Sequence, residues 1–208
     1  MGVCFIVGAA PVCDPFVPRT GDFVIAADGG LRALSHMGIT PDLAVGDFES
    51  AACPSGIPTV VHPPEKDDTD TALAIREGMA RGYHTFALYG CTGGRLDHTL
   101  GAIQTALGAT RAGARVFLVG EGTVGTVLVN GTLTFAPTGT VTVLSLSERS
   151  LGVTITGLKY PLCKATLTND YPLGVSNEGD GGEATVSVEA GALYVLFAAQ
   201  SLPTSFFD

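Results

Sequence analysis

The chain has 208 residues, 46% of them hydrophobic and only 15% charged, with 28 glycines and a formal net charge of −9. A chain this apolar buries a sizeable core, which excludes disorder. Its acidity excludes partners held through bulk positive charge, such as duplex nucleic acid or an anionic membrane.

Over the first 120 residues, short apolar runs alternate with helix-like stretches. Residues 3–7, 23–27, 43–45, 59–61, 85–89 and 115–119 read as strands, apolar on both faces and ending in Gly, Asp or Pro. Between them, 31–37, 71–81 and 96–112 carry the apolar spacing of helices. Alternation of this kind predicts an α/β, Rossmann-like parallel sheet with helices on both faces. Ligands of such a sheet sit beyond the carboxyl ends of its strands. After Gly120 the pattern changes to Val- and Thr-rich runs at 125–129, 132–135, 141–146, 152–156, 164–168, 184–188 and 193–198. These predict an all-β region, a β-sandwich, with Asn130-Gly131 as a two-residue hairpin turn. The boundary falls near Glu121–Val124, dividing an α/β domain (1–122) from a β domain (123–208).

Four segments place polar residues where a strand ends or a helix begins. They are Ala27-Asp28-Gly29-Gly30, Pro41-Asp42 with Gly46-Asp47-Phe48-Glu49-Ser50, Lys66-Asp67-Asp68-Thr69-Asp70, and Thr92-Gly93-Gly94-Arg95-Leu96-Asp97-His98. Taken singly, each reads as a turn or a helix cap. Four at one sheet edge point to a magnesium–polyphosphate site. Mg²⁺ prefers hard oxygen ligands and binds through a few carboxylates plus phosphate oxygens; Asp47, Glu49, Asp70 and Asp97 supply the carboxylates. Thr92-Gly93-Gly94 ahead of a helix offers N–H groups to phosphate. Lys66 and Arg95, two of only 11 basic residues, lie inside these motifs and balance charge during phosphoryl transfer. Neither a G-x-x-x-x-G-K-[ST] nor a G-x-G-x-x-G pattern is present, which sets aside an ordinary P-loop and a dinucleotide fold.

In order and spacing, these segments resemble the motif series of thiamin pyrophosphokinases. Two further stretches, Gly157-Leu158-Lys159-Tyr160-Pro161-Leu162 and Gly174-Val175-Ser176-Asn177-Glu178, extend the resemblance over nearly the whole chain. The resemblance implies an enzyme that moves the β,γ-pyrophosphate of ATP to the thiamin hydroxyl, with Mg²⁺ required, and a homodimer whose active sites lie at the subunit interface. Carried over, Asp47, Asp70 and Asp97 hold the metal and polyphosphate, with Arg95 catalytic as well. Asp28, Gly29, Gly30, Lys66, Thr92, Gly93, Gly94 and Arg95 line the ATP site, and Ser176 and Asn177 bind thiamin. Glu49 stands where the family has Asp, keeping the charge but reaching one methylene further. A carboxylate, Asp70 or Asp97, accepts the hydroxyl proton. Tyr194 is a candidate for stacking on thiamin, although a strand aromatic more often belongs to the core.

The same carboxylates also suit a Mg²⁺-dependent nucleotide or diphosphate hydrolase, and the two-part architecture suits a non-catalytic thiamin- or nucleotide-binding module. Five cysteines without a C-x-x-C pair exclude a disulfide framework and fit a reducing cytoplasm. The apolar opening lacks a basic lead and breaks at Gly8-Ala9-Ala10-Pro11, so it reads as strand and loop rather than a secretory signal. No apolar run approaches the ~20 residues of a membrane span.

Overall fold

The computed structural model describes residues 2–14, 16–48, 55–62 and 68–199. Six strands form the parallel part of the molecule: β1 (Cys4–Val7), β2 (Phe23–Ala27), β3 (Leu43–Gly46), β4 (Thr59–Val61), β5 (Thr85–Tyr89) and β6 (Arg115–Gly120). Three helices accompany them: α1 (Gly30–His36), α2 (Asp70–Ala80) and α3 (Leu96–Arg111). Each lies within one residue of its predicted span, because the apolar period that marks a helix is also the face it buries. Along β1 the side chains alternate between two cores. Val3, Phe5 and Val7 join Leu34 of α1 on one face, while Cys4 and Ile6 join Leu73 of α2 and Ala106 of α3 on the other. Both faces are therefore covered, which is why these strands read as continuous apolar runs.

Eight more strands follow: β7 (Thr123–Val129), β8 (Thr132–Phe135), β9 (Thr138–Ser145), β10 (Arg149–Thr156), β11 (Leu162–Thr168), β12 (Gly174–Asp180), β13 (Ala184–Ser187) and β14 (Ala192–Ala198). They divide between two sheets. One sheet has ten strands in the order β12-β9-β14-β7-β6-β5-β1-β2-β3-β4, and the other four in the order β11-β10-β13-β8. The antiparallel part of the long sheet packs on the short one through Phe135, Val143, Val153, Ile155, Val186 and Phe197. This is the predicted sandwich, and it is joined edge to edge with the parallel part: β7 pairs antiparallel with β6, from Phe117↔Thr126 to Gly120↔Thr123.

Two readings of the sequence are corrected. Asn130-Gly131 does not close a hairpin, since β7 pairs with β6 and β14 while β8 pairs with β13 in the other sheet. The turn is a corner between sheets. Asn130 takes the left-handed conformation, its Oδ1 accepts from Gly191 N at 2.8 Å, and Val188 N donates to Gly131 O at 2.9 Å. Residues 174–180, absent from the runs read as strands, form β12 at the edge of the long sheet. Their Gly-Val-Ser-Asn-Glu-Gly-Asp sequence has neither alternation nor β propensity. Pairing with β9 imposes the strand, through a bulge between Gly174 and Asn177 that carries Ser176 at φ 61°.

Candidate functional site

In the parallel sheet the chain runs outward from β1 through β2, β3 and β4, then returns to place β5 and β6 on the other side of β1. The order therefore reverses between β1 and β5, where open α/β sheets leave a crevice. A cleft of about 660 Å³ lies there. Its floor is the continuation of the two strands, where Gly8 N donates to Tyr89 O at 2.8 Å and Ala10 N to Gly90 O at 2.9 Å. Gly90, at φ 60°, is a glycine by necessity, since a Cβ there would lie 2.6 Å from Ala10 O and 2.7 Å from Gly8 O.

The walls come from three of the predicted motifs. The turn after β2 brings Asp28 to the rim in the left-handed conformation (φ 43°), with its N–H on Val45 O at 2.8 Å. Its Oδ1 is buried and has no hydrogen-bond partner. The two glycines that follow do not line the cleft, and Gly30 lets α1 cross β1 closely, since a Cβ would fall 1.8 Å from Val7 O. The second wall is the start of α2. Thr69 is its N-cap, accepting from Ala72 N at 3.2 Å, Asp70 occupies the first turn, and Asp68 pairs with Arg76 at 2.5 Å. The third wall is the glycine loop after β5, where Gly93 and Gly94 both take positive φ and lead into α3.

Arg95 and Asp97 project from that helix start and pair with each other at 2.5 Å, both about two-thirds exposed. The guanidinium holds the Asp97 carboxyl down to about 2, so it is ionised throughout the neutral range. Cys91 also lines the cleft, buried, with its thiol donating to Tyr89 O at 3.4 Å and burial pushing its pKa up to about 11. Asp28, Asp68, Asp70 and Asp97 against Arg95 make the cleft acidic, so a polyanion enters it only with a cation.

Of the predicted site residues, the cleft thus brings together Asp28, Asp70, Gly93, Gly94, Arg95 and Asp97. Asp47 is half-buried just beyond β3, whose last residue Gly46 abuts Asp28. Gly29 and Gly30 pack against Ala9 and Val7, and Thr92 turns its hydroxyl toward Gly120. Ser176 and Asn177 lie on β12; Ser176 is exposed, and Asn177 is buried with its amide bonded to both the N–H and the C=O of Tyr160. That tie joins the two C-terminal motif stretches, 157–162 and 174–178. Tyr194 belongs to the core, its hydroxyl against Gly125 and pushed up to about 12 by burial. Glu49 and Lys66 lie outside the described residues. Among the described residues no three His, Cys, Asp or Glu side chains form a preassembled metal cage. Mg²⁺ binds through one or two carboxylates plus substrate phosphates. The buried, unpartnered oxygen of Asp28 and the all-oxygen donor set fit the same cation.

Two family models match the chain in succession. The thiamin pyrophosphokinase catalytic domain matches residues 18–118, and the thiamin pyrophosphokinase vitamin B1 binding domain matches residues 132–193. The chain belongs to the thiamin pyrophosphokinase family. It is 29% identical over 190 residues to the thiamine pyrophosphokinase of Bacillus subtilis, covering 83% of this chain and 85% of that protein. The crystal structure of the Bacillus subtilis enzyme superposes with a TM-score of 0.84 at 25% identity, covering 94% of this chain and 98% of the other. The thiamin pyrophosphokinase of Geobacillus thermodenitrificans gives 0.83 at 27% identity, covering 96% and 100%.

Within this thiamin pyrophosphokinase fold, one stretch of the cleft and one residue bracing its glycine loop went unrecognised in the sequence. Gly8-Ala9-Ala10-Pro11 carries no charge, and its position at the end of the first strand was the only available signal. Thr99 lies inside a helix where threonine is unremarkable, yet it bonds back to the glycine loop.

Proposed function

We propose that the chain transfers the β,γ-pyrophosphate of ATP to the hydroxyl of thiamin, giving thiamin diphosphate and AMP, with Mg²⁺ as the required cation, in the cytoplasm. The observation that carries this reading is the acidic cleft at the sheet's switch point, closed by a glycine loop, on a chain matching the family's catalytic and vitamin B1 binding models in order. Residues 1–122 supply the ATP site, and 123–208 supply the thiamin contacts and the dimer surface. Ser176 and Asn177 bind thiamin for a cleft to which a second copy contributes. Supporting that arrangement, no residue of β12 lines the cleft of its own chain among the described residues, and Tyr160, Tyr171, Leu173 and Val175 are exposed beside it.

Asp47, Asp70 and Asp97, with Glu49 beyond Asp47, are the residues that would hold Mg²⁺, and Asp28 adds an oxygen free to serve. When bound, the cation neutralises charge on the polyphosphate. Arg95 and Lys66 meet phosphate oxygens, and the acidic rim attracts cationic thiamin. The hydroxyl oxygen attacks the β-phosphorus in line. The bond from that phosphorus to the AMP oxygen breaks, AMP leaves with the electron pair, and the hydroxyl proton passes to a carboxylate. The carboxylate that accepts it is Asp70 or Asp97. Positioning carries most of the catalysis.

The test is AMP formation from ATP and Mg²⁺ with and without thiamin, with thiamin diphosphate followed in parallel. Equimolar, thiamin-dependent products support the assignment. Thiamin-independent cleavage identifies a hydrolase, and binding without turnover identifies a binding module.

A further inference from the structure

We infer that Thr99 is a positioning residue for the nucleotide: its hydroxyl holds the two-glycine loop in the shape that presents Arg95 to the cleft. Gly93 and Gly94 sit at φ 79° and 66°, and glycine populates many other conformations as readily, so the local sequence does not select this one. Arg95, the N-cap residue of α3, makes no side-chain cap bond that would fix the entry to the helix. The hydroxyl of Thr99, one turn into α3, supplies the missing constraint. It accepts from Gly93 N at 3.1 Å and donates to Arg95 O at 3.2 Å, bridging the first glycine and the arginine across Gly94. The backbone N–H of Thr99 bonds the same Arg95 carbonyl at 3.1 Å, so the bridge is anchored in the helix itself.

The Gly93 N–H is already engaged within the loop, and phosphate meets this wall through Gly94 and Arg95. Without the hydroxyl, the glycine pair samples other conformations, and each nucleotide that binds must order it again. The effect falls on nucleotide affinity rather than on the chemical step.

This inference rests on the ATP-dependent reading above, and the experiment separates the two. Thr99→Val keeps the shape and removes the hydroxyl; Thr99→Ser keeps the hydroxyl. Loss of one hydrogen bond of ordinary net strength raises the KM for ATP roughly 3–10-fold in Thr99→Val. With the loss confined to binding, kcat stays within about twofold and the KM for thiamin is unchanged. Thr99→Ser restores the KM for ATP. Amide hydrogen exchange of the segment 92–95, measured without any substrate, becomes faster in Thr99→Val and returns to normal in Thr99→Ser. Thr99→Ala replaces the valine variant if the latter does not fold. Wild-type exchange together with wild-type KM in the variant lacking the hydroxyl overturns the inference, as does a serine variant as impaired as the valine one. Should the wild-type protein make no thiamin diphosphate, the proposed activity fails. The exchange experiment and binding of a non-hydrolysable ATP analogue still decide the role of Thr99.

Discussion

Replacing Asn177 by alanine removes three hydrogen bonds at one stroke. Its Oδ1 accepts from the N–H groups of Tyr160 and Glu178, each at 2.9 Å, and its Nδ2 donates to Tyr160 O at 2.8 Å, on a residue only 5% exposed. Tyr160 itself is 56% exposed, so water re-satisfies part of what is lost. Each bond is then worth ~0.5–1 kcal/mol, and Asn177→Ala costs about 2 kcal/mol. For a domain of this length that lowers Tm by roughly 4–8 °C. Urea unfolding followed by far-ultraviolet circular dichroism gives the free energy, and a thermal scan gives Tm. The control is Ser176→Asn on the exposed neighbour, where asparagine tolerates the positive φ and stability changes by less than about 0.5 kcal/mol. An Asn177→Ala protein as stable as the wild type would refute the reasoning and leave Asn177 with a ligand-binding role alone. If both roles hold, the KM for thiamin rises as well, and added thiamin diphosphate recovers part of the lost Tm by mass action.

Asp28→Asn keeps a residue that accepts the left-handed conformation and removes only the charge; thermal stability is expected to hold while thiamin-dependent AMP formation falls roughly 10–100-fold, and full activity would show that the buried oxygen has no ligand. Asp97→Asn frees Arg95 and should raise the Mg²⁺ concentration needed for half-maximal rate without moving Tm, because the pair is largely exposed; an unchanged Mg²⁺ titration removes Asp97 from the metal site. Burial raises the thiols of Cys4 and Cys91 to about 12 and 11. At pH 8 a disulfide reagent should therefore label exposed Cys13 and Cys163 at once, and Cys4 and Cys91 only on unfolding, with peptide mapping to assign each site. Both folded values lie above the ordinary 9.0, so the neutral thiols contribute fully below pH 9 and that contribution is lost as pH rises toward 11–12, which a Tm series from pH 8 to 11 detects.

Much of this architecture was legible in the sequence because its signals are local. The six parallel strands are apolar on both faces, and the helix periods coincide with the buried faces of α1, α2 and α3. The acidic and glycine-rich motifs announced three walls of the cleft by their positions at strand ends and a helix start. What escaped notice depends on partners distant in the chain. β12 is a strand only because β9 pairs with it, and Asn130-Gly131 turns between sheets because residues 188–191 hold it there. Asp28, Asp70 and Asp97 were recognisable as acidic residues at a sheet edge. That Asp97 is occupied by Arg95 while Asp28 keeps an unpaired oxygen is a matter of geometry that no motif encodes.

The antiparallel pairing of β6 with β7 has a mechanical meaning. A protein that handles two substrates often holds them on lobes joined by a flexible strap and swings one lobe onto the other. Here the strap is replaced by a hydrogen-bonded seam from Phe117↔Thr126 to Gly120↔Thr123, with only Glu121 and Gly122 between the strands. A bend at the seam would shear that ladder and pull Val119 and Val124 out of one shared core. The ten strands therefore behave as a single stiff plate, and whatever closes over the substrates must come from loops standing on the plate or from a second molecule laid against it.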